Sequence, residues 1–315
     1  MASNAGVRSP YFYGISYVGG KYFELNVTIN GTLRYTLVKV VDNEAHFDVA
    51  ELIRDYINIT YTGTMPTDPA DVNSGYSADV TLGYNVYTNT AGTGSPASFG
   101  GFTFNAFDGY SYFEDQDDDY NLPSTAALIT SKTVWLPENT AGTFYYTSST
   151  IVTKYDISTS QEGDVTVGGD TVTIRRYPCS RYDAKKVVFI NRYGMPQELW
   201  FFGKTIESSS FSSEKYKSAN ITPGGVYSKY EHQYKKIDAK GQTSYVLNTG
   251  FVSEGYNDSI TELLMSEQVW LHTDSTVRPI NITSSDVVYR TSLNDKLVQY
   301  TIEAEQANDL ISTMR

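Results

Sequence analysis

Residues 114–119, Glu114-Asp115-Gln116-Asp117-Asp118-Asp119, set five carboxylates side by side. Asp115, Asp117, Asp119 and Asn121 place oxygens at alternate positions, the opening rhythm of an EF-hand calcium loop. The rhythm then breaks. Tyr120 stands where the sharp turn requires glycine, and Ala126 stands where a bidentate glutamate closes the site. The run therefore reads as a solvated acidic loop. Its alternative is a weak Ca²⁺ site at Asp115, Asp117 and Asp119, and no other cofactor is expected.

Other chemistries find less support. Three histidines (His46, His232 and His272) and one cysteine, Cys179, are too sparse for a Cys/His metal centre. No serine lies in a G-x-S-x-G elbow, and no histidine is close to Cys179 in sequence. Walker and G-x-G-x-x-G loops are absent. Carboxylate pairs for glycoside hydrolysis come from distant strands, so the sequence leaves them open. The expectation is a protein without catalytic activity. Arg175, Arg176, Arg181, Lys185, Lys186 and Arg192 make a basic segment in an otherwise acidic chain. Two readings stand beside each other: solubilising charge at strand ends, or a patch facing an acidic surface such as residues 114–119 on a neighbouring copy.

The basic segment flanks VVFINRYGMPQELWFFGK, residues 187–204. Val187 to Ile190 and Leu199 to Phe202 are continuous apolar runs, joined by a turn at Tyr193-Gly194-Met195-Pro196. Strands apolar on both faces need cover on both sides. A neighbouring copy is the expected cover, with Phe189, Arg192, Tyr193, Trp200, Phe201 and Phe202 as interface residues.

Elsewhere the periodicity is simpler. KYFELNVTI turns Phe23, Leu25, Val27 and Ile29 to one side, Asn30-Gly31 makes a turn, and TLRYTLVKV returns with Leu33, Tyr35 and Leu37 inward. EAHFDV continues as a strand. Asp48 and Glu51 have the spacing of a capping box, and Val49, Leu52, Ile53, Tyr56 and Ile57 recur at helical spacing. DVTVGGDTVTIRRY reads as a second hairpin, turning at Gly168-Gly169-Asp170. TIESSSFSSEKYKSANITPGG reads as a surface loop, and Ser259 and Glu262 as a second capping box. The expected class is mainly β, a set of sandwich-like or barrel-like modules with a few short helices. The expected divisions are an N-terminal module at 1–64, a central domain at 65–204 and a C-terminal module at 205–315.

Composition agrees with that class. The 315 residues are 40% hydrophobic and include 27 Tyr, 14 Phe and 3 Trp, side chains that favour strands and large contact surfaces. A net charge of −12 disfavours nucleic acid and anionic membrane surfaces as partners. A lone cysteine and an N-terminus without an apolar signal core lead to the expectation of synthesis in a reducing cytoplasm, without a secretory signal.

RRYPCSRYDAKKVVFINRYGMPQELWFFGK (residues 175–204) resembles a hairpin pattern of tailed-bacteriophage virion structural proteins. SYVLNTGFV and the residues after it, with a short helix and a V-W-L strand, are similar to the closing module of such proteins. GVRSPYFYGISY and VAELIRDYI are similar to the start of marine phage tail-associated proteins. Residues 76–155 lie outside the resemblance. It implies a tail or baseplate component in the virion, made in the host cytoplasm. Its partners would be copies of itself, in multiples of three or six, and other tail proteins, and no catalytic residues carry over. The alternative function is recognition of a host-surface polysaccharide through exposed aromatic residues.

Overall fold

The computed structural model describes residues 3–115, 120–178, 181–221, 223–227, 229–273, 276–284 and 297–310. Its chain is mainly β, with two α-helices among the described residues, and none of its sheets closes into a barrel. Three units follow one another.

The first contains β1 (Ser3–Gly6), β2 (Phe12–Ser16), β3 (Tyr22–Ile29), β4 (Thr32–Lys39), β5 (Glu44–Asp48), α1 (Ala50–Arg54), β6 (Ser77–Tyr87) and β7 (Ser98–Phe107). Its main sheet runs β1-β7-β6-β3-β4, with β2 and β5 paired separately. Phe23, Leu25, Val27 and Ile29 are fully buried, as their alternation requires. Asn30 (φ 49°) and Gly31 (φ 73°) make the two-residue turn, both in the left-handed region that such turns need. The return strand departs from expectation at one point. A bulge at Arg34 shifts the register between Val27 and Thr28, so Leu33 lies opposite Thr28. Leu33 is consequently 57% exposed, while Tyr35 and Leu37 still pack on the core.

α1 is shorter than its apolar spacing predicts. Asp48 does not form the expected capping box. Its Oδ1 accepts from the backbone N–H groups of Ala50 (3.1 Å) and Tyr11 (3.2 Å), tying strand to helix. The helix ends at Arg54 because the next residues are needed elsewhere: Ile59 and Tyr61 pack in extended form against Ile190 and Trp270 of the third unit. The first core draws on residues 5–106, so the expected division at 64 falls inside this unit.

The second unit holds β8 (Ala126–Ala127), β9 (Thr133–Pro137), β10 (Gly142–Ser148), β11 (Ile151–Ile157), β12 (Gly163–Val167) and β13 (Asp170–Tyr177). Two three-stranded sheets, β11-β10-β8 and β12-β13-β9, enclose Leu136, Phe144, Ile157, Val172 and Ile174. Gly168 (φ 58°) and Gly169 (φ 79°) form the expected turn.

The third unit comprises β14 (Lys185–Ile190), β15 (Pro196–Phe201), β16 (Ile206–Lys217), β17 (Tyr234–Asn248), β18 (Val252–Ser253), α2 (Tyr256–Met265), β19 (Val269–His272), β20 (Val277–Ile282), β21 (Leu297–Val298) and β22 (Thr301–Gln306). Its seven-stranded sheet runs β15-β14-β19-β20-β22-β17-β16. The β14–β15 hairpin thus belongs with the C-terminal strands, not with the central domain. Residues 206–217, expected as a loop, are a twelve-residue strand. α2 begins at Tyr256 with Gly255 before it, so Ser259 and Glu262 are buried mid-helix residues and not a capping box.

The cover for the hairpin comes from this chain itself. Val187, Phe189, Leu199 and Phe201 face Tyr256, Ile260 and Leu263 of α2. On the other face, Ile190 meets Ile59 and Tyr76, and Lys186 pairs with Glu198 at 3.1 Å. Glu198 also accepts from the backbone N–H of Thr143 in β10 (3.2 Å). Phe189 and Phe201 are fully buried, Phe202 is nearly so and stacks on Tyr177 at 4.1 Å, and Trp200 is wedged half-buried between two cores. The aromatic interface expected of these four residues is corrected accordingly: they are internal packing. Phe201→Ala is expected to cost the single chain about 3–5 kcal/mol in urea unfolding. A cost under about 1 kcal/mol would contradict its place in the core.

Candidate interaction arm and the junction behind the hairpin

The sequence-predicted site residues fall in different places. Asp117 and Asp119 lie outside the described residues, as does Asp115 beyond its backbone. Among the described residues no group of three or more His, Cys, Asp or Glu is placed to hold a metal ion. The basic segment is dispersed. Arg176 donates to the backbone carbonyls of Pro137, Thr140, Ser158 and Gln161, Lys186 pairs with Glu198, and Arg192 enters a junction between units.

That junction is built by the hairpin turn. Asn191 Oδ1 accepts from the N–H groups of Tyr193 (3.0 Å) and Met195 (3.1 Å), and its Nδ2 donates to the Leu128 carbonyl (2.8 Å). Gly194 (φ 75°) approaches unit one so closely that a Cβ there would lie 2.9 Å from the Asp108 backbone nitrogen. Met195 is fully buried among Phe107, Leu128 and Tyr145, with Tyr193 packed alongside. The Arg192 guanidinium lies over the Tyr112 ring at 4.8 Å and the Tyr193 ring at 5.7 Å. Glu262 of α2 sits beneath, accepting from the Thr130 hydroxyl and from the Arg192 backbone N–H (3.5 Å). Burial pushes the Glu262 carboxyl up to about 7, against the pull of those bonds and of the Arg192 charge. Arg54 adds a second tie between units, reaching Asp108 (2.7 Å) and Glu267 (2.6 Å).

The exposed chemistry is elsewhere, on a strand pair that leaves the body. β22 supports β17 only over Ser244–Asn248. Beyond Gly241, β16 and β17 continue alone, pairing from Phe211↔Gly241 to Lys217↔Tyr234. Seven residues of strand give a two-stranded arm about 20 Å long before its tip. Almost every residue on it is exposed, on both faces. Phe211 is 77% exposed and Tyr230 is 96% exposed, and Tyr216, Ile221, Val226, Tyr227, Tyr234 and Ile237 are open as well. Near the tip, Ile221, Tyr227 and Lys229 line an open concavity of about 770 Å³. At the base, Phe211 and Leu310 clasp Gly241, and the Leu310 N–H donates to the Gly241 carbonyl at 3.0 Å.

Sequence reasoning reads a strand at EHQYKKI, residues 231–237, but takes its partner at 206–217 for a loop, because a strand with no buried face has no hydrophobic alternation to read. The signal it did carry is chemical: Lys215-Tyr216-Lys217 and Tyr234-Lys235-Lys236-Ile237 flank the turn formers Pro223-Gly224-Gly225. Among the described residues no helix is long and apolar enough to cross a membrane. Comparison of the chain with known protein families, curated proteins and solved structures found no match.

Two outcomes follow from these placements. Glu262 keeps its proton in the folded state up to about 7 but loses it near the ordinary 4.5 when unfolded. Its contribution is therefore fully present below about pH 4.5 and is lost as pH rises toward 7. Glu262→Gln is expected to flatten that decline, leaving the variant more stable than the parent by about 2 kcal/mol at pH 8 in urea titrations. Equal slopes for the two proteins would contradict the burial of the charge. Separately, brief trypsin treatment is expected to cut first at Lys229, Lys235 and Lys236, leaving the body intact. First cuts at Arg176 or Arg192 would contradict the arm's isolation.

Proposed function

We propose that this chain is a structural component of a tailed-bacteriophage tail, at the baseplate or tail end, joining copies of itself and docking peripheral tail proteins. The observation that carries the proposal is the arm. An isolated two-stranded hairpin is marginally stable in water, and an exposed apolar surface rimmed with charge is a contact surface. Phe211, Ile221, Val226, Tyr227 and Tyr230 are held out on β16, β17 and the tip between them, away from any core of this chain. Such an arm acts by geometry: it reaches a neighbour and orders on contact. The tail context rests on the sequence resemblance of residues 175–204 and of the two ends.

A second reading, binding of host-surface polysaccharide, is favoured by tyrosines at the two open concavities of the arm, Tyr227 at one and Tyr230 and Tyr234 at the other. Quantitative mass spectrometry of purified virions separates the two. A fixed copy number in multiples of three or six, counted against the major capsid protein, is the expected result. Absence from particles would overturn the structural reading and leave glycan binding to be measured on the purified protein.

A further inference from the structure

The two largest sheets each end on one open edge. The first ends on β4 and the second on β16. Their other ends are partly engaged: Ala5 of β1 bridges to Asn121, and on β15 the Trp200 N–H donates to the Tyr256 hydroxyl (3.2 Å) while its carbonyl accepts from it (2.9 Å). An open edge is a template for pairing.

The two open edges differ in charge. Residues 211–240 carry six lysines against Glu214, Glu231 and Asp238, a net charge of +3 in a chain of −12, so the remainder carries −15. Lys240 pairs with Asp238 at 3.2 Å, whereas Lys215, Lys217, Lys235 and Lys236 have no acidic partner among the described residues. Lys215 stands directly opposite Lys236, and Lys235 opposite Tyr216. Like charges directly opposite weaken a strand pair. β4 itself carries Arg34 and Lys39, but the stretch that follows it is the reverse of the arm. Exposed Val38, Val40 and Val41 lead into exposed Asp42, Glu44, Asp48, Glu51 and Asp55. The cations of this stretch are engaged at home. Arg34 lies over Tyr56 at 5.0 Å, Lys39 lies over Phe47 at 5.3 Å, and Arg54 is tied to Asp108 and Glu267. Lys21 meets Asp42, and His46 meets Glu44, which leaves Asp48, Glu51 and Asp55 facing outward without a basic side chain upon them among the contacts seen.

We propose that the arm of one copy docks on a second copy of this chain, along its β4 edge and the acidic residues 42–55. This rests on the structural reading above and names the partner and the surface. The arm lengthens the neighbour's sheet by main-chain pairing, its aromatic side chains cover Val38, Val40 and Val41, and its lysines meet the acids. Arm-to-arm pairing would set lysines on lysines, so the contact is head-to-tail, the kind that closes into rings. Complementary charge also steers the encounter and makes it sensitive to salt.

Light scattering on the size-fractionated protein tests this with two reversed chains. Lys215→Glu/Lys217→Glu/Lys235→Glu/Lys236→Glu reverses the arm, and Glu44→Lys/Glu51→Lys/Asp55→Lys reverses the acceptor. Of the seven only Glu44 has a side-chain partner among the described residues, His46, and all seven are exposed, so circular dichroism is expected to show both variants folded. The parent is expected to assemble at low ionic strength and to fall to 35.1 kDa as salt approaches about 1 M. Each variant alone is expected to stay monomeric at concentrations where the parent assembles, a weakening of about 100-fold or more. An equal mixture is expected to assemble again, because each arm then finds an acceptor of opposite sign. A parent that is monomeric at every salt concentration overturns the proposal, as does a reversed arm that assembles normally or a mixture that stays monomeric. A chain found in virions but monomeric by these measurements loses this inference and keeps the structural reading. A chain that assembles as described but is absent from particles does the opposite.

Discussion

Strands β14 and β15 are apolar on both faces, and a sheet of that composition cannot be left half-covered. Burying Val187, Phe189, Leu199 and Phe201 on one side enlists α2. Covering the other side enlists the extended residues Ile59 and Tyr76 and the edge of β10. The turn between the strands then has nowhere to go but inward, and Met195 fills the gap where units one and two meet. One hairpin thereby fixes the relative placement of three cores. The polar groups that come with it must be satisfied in the same place. Asn191 binds both the turn and the Leu128 carbonyl, and Lys186 neutralises Glu198, whose carboxyl burial would otherwise push further up. Glu262 is the residual cost: a carboxyl kept under the junction whose environment favours its protonated form.

How much of this the sequence discloses depends on whether a residue's fate is decided by near neighbours or by distant ones. Phe23, Leu25, Val27 and Ile29 were legible because one face of their strand is wet and the other dry. The turns at Asn30-Gly31 and Gly168-Gly169 were legible because few residues accept positive φ. Asp48/Glu51 and Ser259/Glu262 have the spacing of caps, yet tertiary contacts overrode both: Asp48 serves Tyr11, and Ser259 accepts from Gln197 deep in the fold. Leu33 was misread because the bulge at Arg34 inserts one residue, and a single insertion reverses a period of two. The divisions between units were misplaced because β1 pairs with β7 and β14 with β19, partners about a hundred and about eighty residues away. The hairpin's double-sided apolarity was read correctly. The identity of its cover was not, since no local pattern says whether cover comes from the same chain or another.

The arm poses the opposite problem. Its residues bury nothing, so neither periodicity nor burial restrains them, and the strand pair is held by its ladder and by the clasp of Phe211 and Leu310 on Gly241. A ladder with water on both faces contributes little net stability, because each backbone bond is exchanged for one to solvent. Large side chains such as Tyr216, Tyr230 and Tyr234 gain from leaving water, and on the arm that gain is unrealised. The register shift between Ser212 and Glu214 and the positive φ of Asp238 add twist just where the pair leaves the sheet. A twisted, weakly held strand pair bends at low energetic cost, which suits the docking role proposed for it.

Lysine on an open strand is an established guard against pairing, and that role has to be weighed against docking. Guarding alone would be served by lysines that alternate with acids, so that the edge stays soluble without repelling itself. Here Lys215 faces Lys236, and the exposed apolar residues are not thinned out but placed between the lysines. That arrangement rejects a strand with no acids beside it, because pairing would desolvate the ammonium groups without compensation. It admits one flanked by acids, as β4 is by residues 42–55, where the same groups gain partners as the aromatic rings gain cover. The guard and the dock are then one device. In the proposed contact the acidic bodies repel each other at a distance, the basic arm supplies an attractive approach, and the order of contact is set before any apolar surface closes.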